Sequence, residues 1–107
     1  MARGDYNAVA AALRPLADQG NPEAQFRYAM LYAEGLGLRT SDALAASWLR
    51  RAADQGHAEA QYQLGRMYLD GRGVPMDRRE AVGWLTKAAD AGSAPARSLL
   101  QRISPGR

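Results

Sequence analysis

Apolar residues recur along the chain at intervals of three and four, which is the spacing of one face of an α-helix. Ala60, Leu64, Met67 and Tyr68, for example, fall on one such stripe. Residues that favour strands are scarce, since Val, Ile and Thr together number six against 22 alanines. The pattern therefore predicts an all-α protein with about six helices, in the segments 5–19, 21–33, 41–55, 58–69, 77–91 and 93–103.

The sequence repeats itself with a period of 36 residues. Residues 20–55 align with residues 56–91 at 13 identical positions, including the pairs Trp48 with Trp84 and Gly20 with Gly56. A fixed period of this length is typical of a solenoid, in which each unit is a pair of helices that cannot bury its apolar face alone. We call residues 20–55 unit 1 and residues 56–91 unit 2.

The flanking segments fit the same register. Residues 5–19 align with the second helix of a unit, and residues 92–103 align with a first helix, leaving a tail at 104–107. The sequence therefore predicts one solenoid domain over 1–107, made of antiparallel helix hairpins joined by short connections. The two half-repeats either cap the stack or are the edges of a longer array.

Residues with defined roles at helix ends mark the boundaries of the helices. Asn21 and Ser41 are good N-caps, and Asp77 with Glu80 three residues later has the capping-box spacing. Gly56 and Gly92 follow the second helices, where a left-handed C′ residue is common. Gly65 lies inside a helix at a cost of about 1 kcal/mol, which predicts the close approach of a neighbouring helix.

The motif of unit 2 adds a family resemblance. It reads Gly56-x-x-x-Ala60-x-x-x-Leu64-Gly65-x-x-Tyr68-x-x-Gly71-x-Gly73-Val74-x-x-Asp77-x-x-x-Ala81-x-x-Trp84-x-x-x-Ala88-Ala89-x-x-Gly92. This pattern resembles the Sel-one-like repeat (SLR) family, relatives of the tetratricopeptide repeats, over the segment from Asp5 to Leu100. The resemblance implies a right-handed α/α superhelix that serves as an adaptor scaffold, and many family members are bacterial. Unit 1 departs from the pattern at Ala29, in place of the helix glycine, and at residues 38–41.

Composition limits the chemistry. The chain has no cysteine and one histidine, His57, so neither a thiolate site nor a histidine pair for a metal exists, and no cofactor is expected. The arginines are interleaved with 11 acidic residues, which speaks against a nucleic-acid-binding stripe, and no apolar run is long enough for membrane insertion. The absence of cysteine does not decide between the bacterial cytoplasm and the periplasm.

Two other motifs are interpreted as structural. Gly35-x-Gly37 and Gly71-x-Gly73 lack the preceding strand and the third glycine of a dinucleotide site, so they predict turns with positive φ. Trp48 and Trp84 recur on apolar helix faces and are interpreted as core anchors rather than as ligand-stacking residues.

The candidate functional site is a surface for a protein or peptide partner. In such stacks the first helices line the concave face, and residues opposite the core stripe of those helices face outward. Bulky and charged side chains at these positions are typical of interfaces, and an acidic partner segment would suit the arginines. The candidate binding residues are Phe26, Arg27, Met30, Tyr62, Gln63, Arg66 and Arg102.

Alternatives remain for both the residues and the function. Phe26 and Tyr62 could instead complete the packing between adjacent first helices. The main hypothesis is a non-enzymatic interaction scaffold without catalytic residues. The alternatives are a small-ligand-binding or weakly hydrolase-like protein, as discussed for β-lactam-related ligands in distant relatives, and a structural spacer or homo-oligomer formed through the array ends.

Overall fold

The computed structural model describes residues 5–103, so the predicted tail at 104–107 lies outside the described residues. Within this range the chain forms six α-helices and no strand, as the apolar pattern predicts. The fold is an all-α solenoid of helix hairpins. In chain order the helices are α1 Asp5–Asp18, α2 Pro22–Glu34, α3 Asp42–Asp54, α4 Ala58–Asp70, α5 Arg78–Asp90 and α6 Ala94–Ile103.

The helix ends carry the predicted caps. The side chains of Asn21 and Ser41 accept hydrogen bonds from the backbone N–H groups three residues later. The Asp77 carboxylate accepts from the Glu80 N–H, but the capping box is one-sided because the Asp77 N–H donates to the Tyr68 carbonyl. Gly56 and Gly92 have the predicted positive φ, at 91° and 102°. Local sequence therefore sets where the helices begin and end.

Each helix packs mainly on its predecessor and its successor in the chain. The connections alternate between three residues and seven, so neighbouring helices are antiparallel. The result is elongated, with extents of 47 × 25 × 22 Å. The core runs along this stack and is rich in alanine, which lets the helices approach closely; its largest fully buried apolar side chains are Leu49, Leu64 and Leu85.

The Gly-x-Gly motifs form tight turns, as predicted, and they also touch the preceding second helix. All four glycines have φ between 68° and 74°. A Cβ atom at Gly73 would lie 2.6 Å from the carbonyl carbon of Asp42, and one at Gly37 would lie 2.9 Å from the N atom of Asn7. The second glycine of each motif thus lets the loop pack against the first turn of α3 or α1.

Gly65 allows α4 to approach α5. A Cβ atom at this position would lie 2.8 Å from the Leu85 Cγ and 3.3 Å from the Ala81 carbonyl oxygen. Both distances are shorter than ordinary van der Waals contact, so the predicted close approach is confirmed. In unit 1 the equivalent residue, Ala29, is fully buried.

The two tryptophans are buried, as predicted, and each is covered by an arginine of the preceding second helix. The guanidinium of Arg14 lies 5.7 Å from the Trp48 ring, and that of Arg50 lies 5.4 Å from the Trp84 ring. These arginines are 36 residues apart, so the contact recurs with the repeat. Each tryptophan therefore joins its own unit to the one before it.

Two buried glutamines also connect successive helices. Gln25 and Gln61 occupy equivalent positions, and their Nε2 groups each donate to a carbonyl of the preceding second helix, Ala17 or Ala53, at 3.1 Å. The Oε1 of Gln25 accepts from Gln55, whose amide also donates to the Gly20 carbonyl. The Oε1 of Gln61 is buried and has no hydrogen-bond partner among residues 5–103.

The difference between the two glutamines arises at position 91. Ala91 is the repeat equivalent of Gln55, so unit 2 lacks the amide that satisfies Gln25 in unit 1. We expect Ala91→Gln to raise the free energy of unfolding by about 1 kcal/mol by donating to Gln61 Oε1. Urea denaturation measures this change. Ala91→Met, which has similar length but no donor, is the control; an equal gain in both variants would contradict the explanation.

Candidate functional site

The first-helix surface carries a cleft of about 390 Å³, which we call the Phe26 cleft. Phe26 and Met30 of α2 line it together with apolar side chains of α1, and charged side chains of α2 and α4 form its rim. An apolar floor with a charged rim is the composition of many protein interfaces. The lining consists of Val9, Leu13, Glu23, Phe26, Arg27, Met30, Leu31 and Glu59.

A second cleft, the Arg66 cleft, continues from the first along the same surface. Its volume is about 150 Å³, and Met30 lines both clefts. Gln63 and Arg66 of α4 contribute to it, and the loop that carries Arg72 closes one side. Five of the seven candidate residues therefore line two adjoining clefts.

The two remaining candidates lie elsewhere. Tyr62 lines a third cleft of about 340 Å³, the Tyr62 cleft, between the start of α4 and the α5–α6 connection. Gln63 lines this cleft as well as the Arg66 cleft. Arg102 is exposed on α6 and lines none of the three clefts. The structure thus does not bring Arg102 together with the other candidates.

The packing role of the two aromatic residues is visible in the structure, and their role in binding stays a prediction. Phe26 is half-buried and packs against the core, and its ring stacks on His57 with centroids 4.8 Å apart. Tyr62 is also half-buried and packs against the smaller apolar cluster around Leu85, while the Arg66 guanidinium lies 5.6 Å from its ring. These side chains contribute to inter-helix packing and still line the clefts.

His57 links unit 1 to unit 2 through three contacts. Its Nδ1 accepts the N–H of Ala60 at 3.1 Å, so it is the N-cap of α4. This bond places the proton of a neutral ring on Nε2, which lies 2.8 Å from Glu23 Oε1 and donates to it. The ring face meets Phe26. His57 thus acts as the N-cap of α4 and also connects this helix to α2.

Some of the charges on this surface are paired within the chain, at Glu23 above all. Arg27 contacts the Glu23 carboxylate at 2.7 Å, and the His57 N–H and then the Arg27 guanidinium hold the pKa of Glu23 below its usual range. Arg66 shares its cleft with Glu34, Asp70 and Arg72. Arg27 thus already has a carboxylate partner, whereas Arg66 makes no ion pair among residues 5–103, and the expectation of an acidic partner segment stays a prediction.

Sequence reasoning missed the contribution of α1. Val9 and Leu13 form part of the Phe26 cleft, although the repeat pattern indicates only a cap or an edge for this half-repeat. The helical spacing of these two residues is a signal that could have indicated this face. Glu59 lines both the Phe26 cleft and the Tyr62 cleft, and its repetition at Glu23 is visible in the sequence.

Metal-binding clusters and membrane-spanning helices were sought among residues 5–103. Among residues 5–103, no three His, Asp or Glu side chains come together as a metal site would require. In the same range no helix combines the length and hydropathy needed to cross a membrane.

A further cleft, which we call the outer cleft, lies on the second helices and is lined by Arg50, Asp54, Asp77, Arg79, Glu80, Gly83, Trp84 and Lys87.

Helix hairpins that repeat every 36 residues around a continuous core define an α/α solenoid of repeats. The chain belongs to the Sel1 repeat family, because the sequence model of the Sel1 repeat matches residues 22–57 and 58–93. Proteins with this repeat generally act as scaffolds for protein interactions and are typically non-catalytic. Among proteins with curated descriptions, none matches this chain.

Three solved structures share the fold. A Sel1 repeat protein from Oxalobacter formigenes is 43% identical, with a TM-score of 0.83 over 84% of this chain and 68% of that one. The protein c5321, a protective antigen of uropathogenic Escherichia coli with an SLR fold, is 32% identical, with a TM-score of 0.91 over 92% of this chain. This chain covers 21% of c5321. The cysteine-rich protein HcpB of Helicobacter pylori shares the fold at 21% identity, with a TM-score of 0.81 over 85% of this chain and 68% of HcpB.

Proposed function

We propose that this chain is a non-enzymatic interaction scaffold that binds a segment of a partner protein along α2 and α4. The observation that supports the proposal most is the pair of adjoining clefts that share Met30. The two clefts meet at Met30, and both combine apolar lining residues with charged ones. A peptide in an extended or helical conformation fits such a pair of clefts, as in other groove-binding modes.

The charges indicate the chemistry of the partner. The rim of the Phe26 cleft holds Glu23, Arg27 and Glu59, and the Arg66 cleft holds two basic and two acidic side chains. A partner segment with apolar anchors and charges of both signs complements this surface better than a uniformly acidic one. Apolar and aromatic anchors in the clefts would supply most of the affinity, and the rim charges would set orientation and association rate.

A double variant on α4 tests the proposed binding surface, at half-buried Tyr62 and exposed Arg66. We expect Tyr62→Ala with Arg66→Ala to leave the circular dichroism spectrum unchanged and to weaken partner binding by at least about tenfold, because Arg66 lines the Arg66 cleft and Tyr62 lines the neighbouring Tyr62 cleft, which shares Gln63 with it. The partner is first isolated by affinity capture from the source organism, identified by mass spectrometry and then titrated by calorimetry.

The matched control is Arg79→Ala with Lys87→Ala, two exposed residues of the outer cleft. This variant is expected to keep the parental affinity. If the control loses binding and the α4 variant retains it, the binding surface is the outer cleft and the proposal is wrong. Light scattering over a concentration series identifies any self-association, so that a second copy of the chain is recognised if it is the partner.

A further inference from the structure

The two units differ at the start of their first helices, although the same backbone positions are involved. The carboxylate of Glu23 and the ring of Phe26 in unit 1 form one cluster with the ring of His57, which precedes α4 in unit 2. The His57 ring stacks on Phe26 at 4.8 Å, with 26° between the planes, and its Nε2 is 2.8 Å from Glu23. Arg27 contacts the same carboxylate at 2.7 Å. The planar ring of His57 thus stacks on the aromatic ring of Phe26 and donates its N–H to the carboxylate of Glu23.

The equivalent carboxylate and aromatic ring in unit 2, Glu59 and Tyr62, have neither of these two donors beside them. Glu59 and Tyr62 take the places of Glu23 and Phe26, whereas Ser93 replaces His57 and Gln63 replaces Arg27. The Ser93 hydroxyl caps α6 by accepting from the Ala96 N–H at 3.2 Å, so the capping role is preserved without a ring.

The loss of the ring leaves the Tyr62 cleft. Glu59, Tyr62 and Ser93 all line it, together with the α5–α6 connection and Pro95, and its volume is about 340 Å³. Glu59 is the charged residue of this lining, and its carboxylate makes no ion pair with any residue in 5–103. The cleft therefore combines an aromatic wall with a carboxylate that lacks the two contacts of its counterpart.

We propose that the Tyr62 cleft binds the guanidinium group of an arginine side chain from a partner protein. A guanidinium is planar, so it stacks on Tyr62 as His57 stacks on Phe26, and its fork of N–H groups pairs with the Glu59 carboxylate as Arg27 pairs with Glu23. One arginine thus supplies the ion pair that Glu59 lacks and a flat partner for the Tyr62 ring, which already has the Arg66 guanidinium 5.6 Å from its centroid. The inference rests on the proposed function only in that the arginine belongs to a partner bound on the first-helix surface.

Other groups fit the cleft less well. A lysine ammonium is compact and strongly hydrated, so it pairs with Glu59 without presenting a flat face to Tyr62. The neutral urea group of citrulline has the same shape as a guanidinium, but it lacks the charge that would pair with Glu59. The positive end of the α6 dipole opposes any cation here, and only a bidentate contact with the full charge of Glu59 outweighs it.

The experiment titrates the ¹⁵N-labelled protein with N-acetyl-arginine amide and follows amide shifts by NMR. We expect saturable shifts centred on the amides of Glu59, Tyr62 and residues 91–94, with binding at least about fivefold tighter than for N-acetyl-lysine amide. N-acetyl-citrulline amide should give no saturable shift. Equal responses to the three probes, or shifts centred elsewhere, would overturn the proposal.

Two variants exchange the properties of the units. Ser93→His places a ring at the repeat equivalent of His57, where it would fill the cleft beside Tyr62. It should weaken binding of N-acetyl-arginine amide at least about fivefold while the fold is kept. The converse double variant, His57→Ser with Arg27→Gln, gives Glu23 and Phe26 the same neighbouring residue types as Glu59 and Tyr62 have. It should create a second site for the arginine probe at Glu23 and Phe26. Folding is retained because histidine and serine both act as N-caps at this position of the repeat, His57 for α4 and Ser93 for α6.

These small probes separate the inference from the proposed function. If the parental protein binds the arginine probe while Tyr62→Ala with Arg66→Ala leaves partner binding unchanged, the cleft binds a guanidinium, but the scaffold surface lies elsewhere and the partner supplies no arginine to this cleft. If the α4 variant loses the partner and the parental protein shows no preference for arginine, the scaffold proposal stands and this inference fails. Retention of full probe affinity by a folded Ser93→His variant also refutes the inference.

Discussion

Replacing Trp84 by alanine is expected to lower the free energy of unfolding by about 3 to 5 kcal/mol. Trp84 is 6% exposed, and its ring packs in the main core while Arg50 covers it from the preceding unit. Truncation removes this burial and leaves a cavity between two units. A short solenoid has few other interfaces that could compensate, so the loss extends to the whole stack.

Chemical denaturation followed by circular dichroism measures the effect of Trp84→Ala. Met76→Ala is the control, because Met76 is large and apolar but 69% exposed. We expect the control to change the free energy of unfolding by less than about 0.5 kcal/mol. A Trp84→Ala protein that unfolds at the parental denaturant concentration would mean that the repeat register is wrong.

Gly73→Ala is expected to destabilise the protein by about 2 to 5 kcal/mol. Two effects combine at this position. The backbone has φ of 73°, which strains a residue with a side chain, and the added Cβ would lie 2.6 Å from the carbonyl carbon of Asp42. Because that neighbour is backbone, the loop or the first turn of α3 must move.

Gly56→Ala separates the two effects. Gly56 has φ of 91°, but a Cβ atom added there would have no neighbouring atom within 4 Å, so the substitution should cost only the strain of roughly 1 to 2 kcal/mol. Thermal unfolding of both variants gives the comparison. Equal destabilisation would show that the contact between the loop and α3 contributes nothing, contrary to the structure.

The helices and their ends could be predicted because their determinants are local. Apolar spacing, the caps at Asn21 and Ser41 and the glycines at turns act within a few residues, so they are visible in the sequence. The close approach at Gly65 could be predicted too, since a glycine inside a helix is costly without a neighbour to explain it.

The candidate surface could be predicted only in part. Helical periodicity identifies which side of α2 and α4 faces away from the core stripe, and five of the candidates do line the two adjoining clefts. The pairing of His57 with Glu23 and Phe26 depends on how α4 begins beside α2, which no local pattern encodes. The exposure of Arg102 away from the clefts follows likewise from the position of α6 in the stack.

The sequential packing of the helices has a consequence for how the chain folds. Since each helix meets mainly its neighbours in sequence, the loops that must close to form tertiary contacts are three to seven residues long. Such low contact order favours folding on the microsecond to millisecond scale. Structure can begin at any hairpin and spread in both directions, so a substitution slows folding most where it weakens the hairpin that forms first.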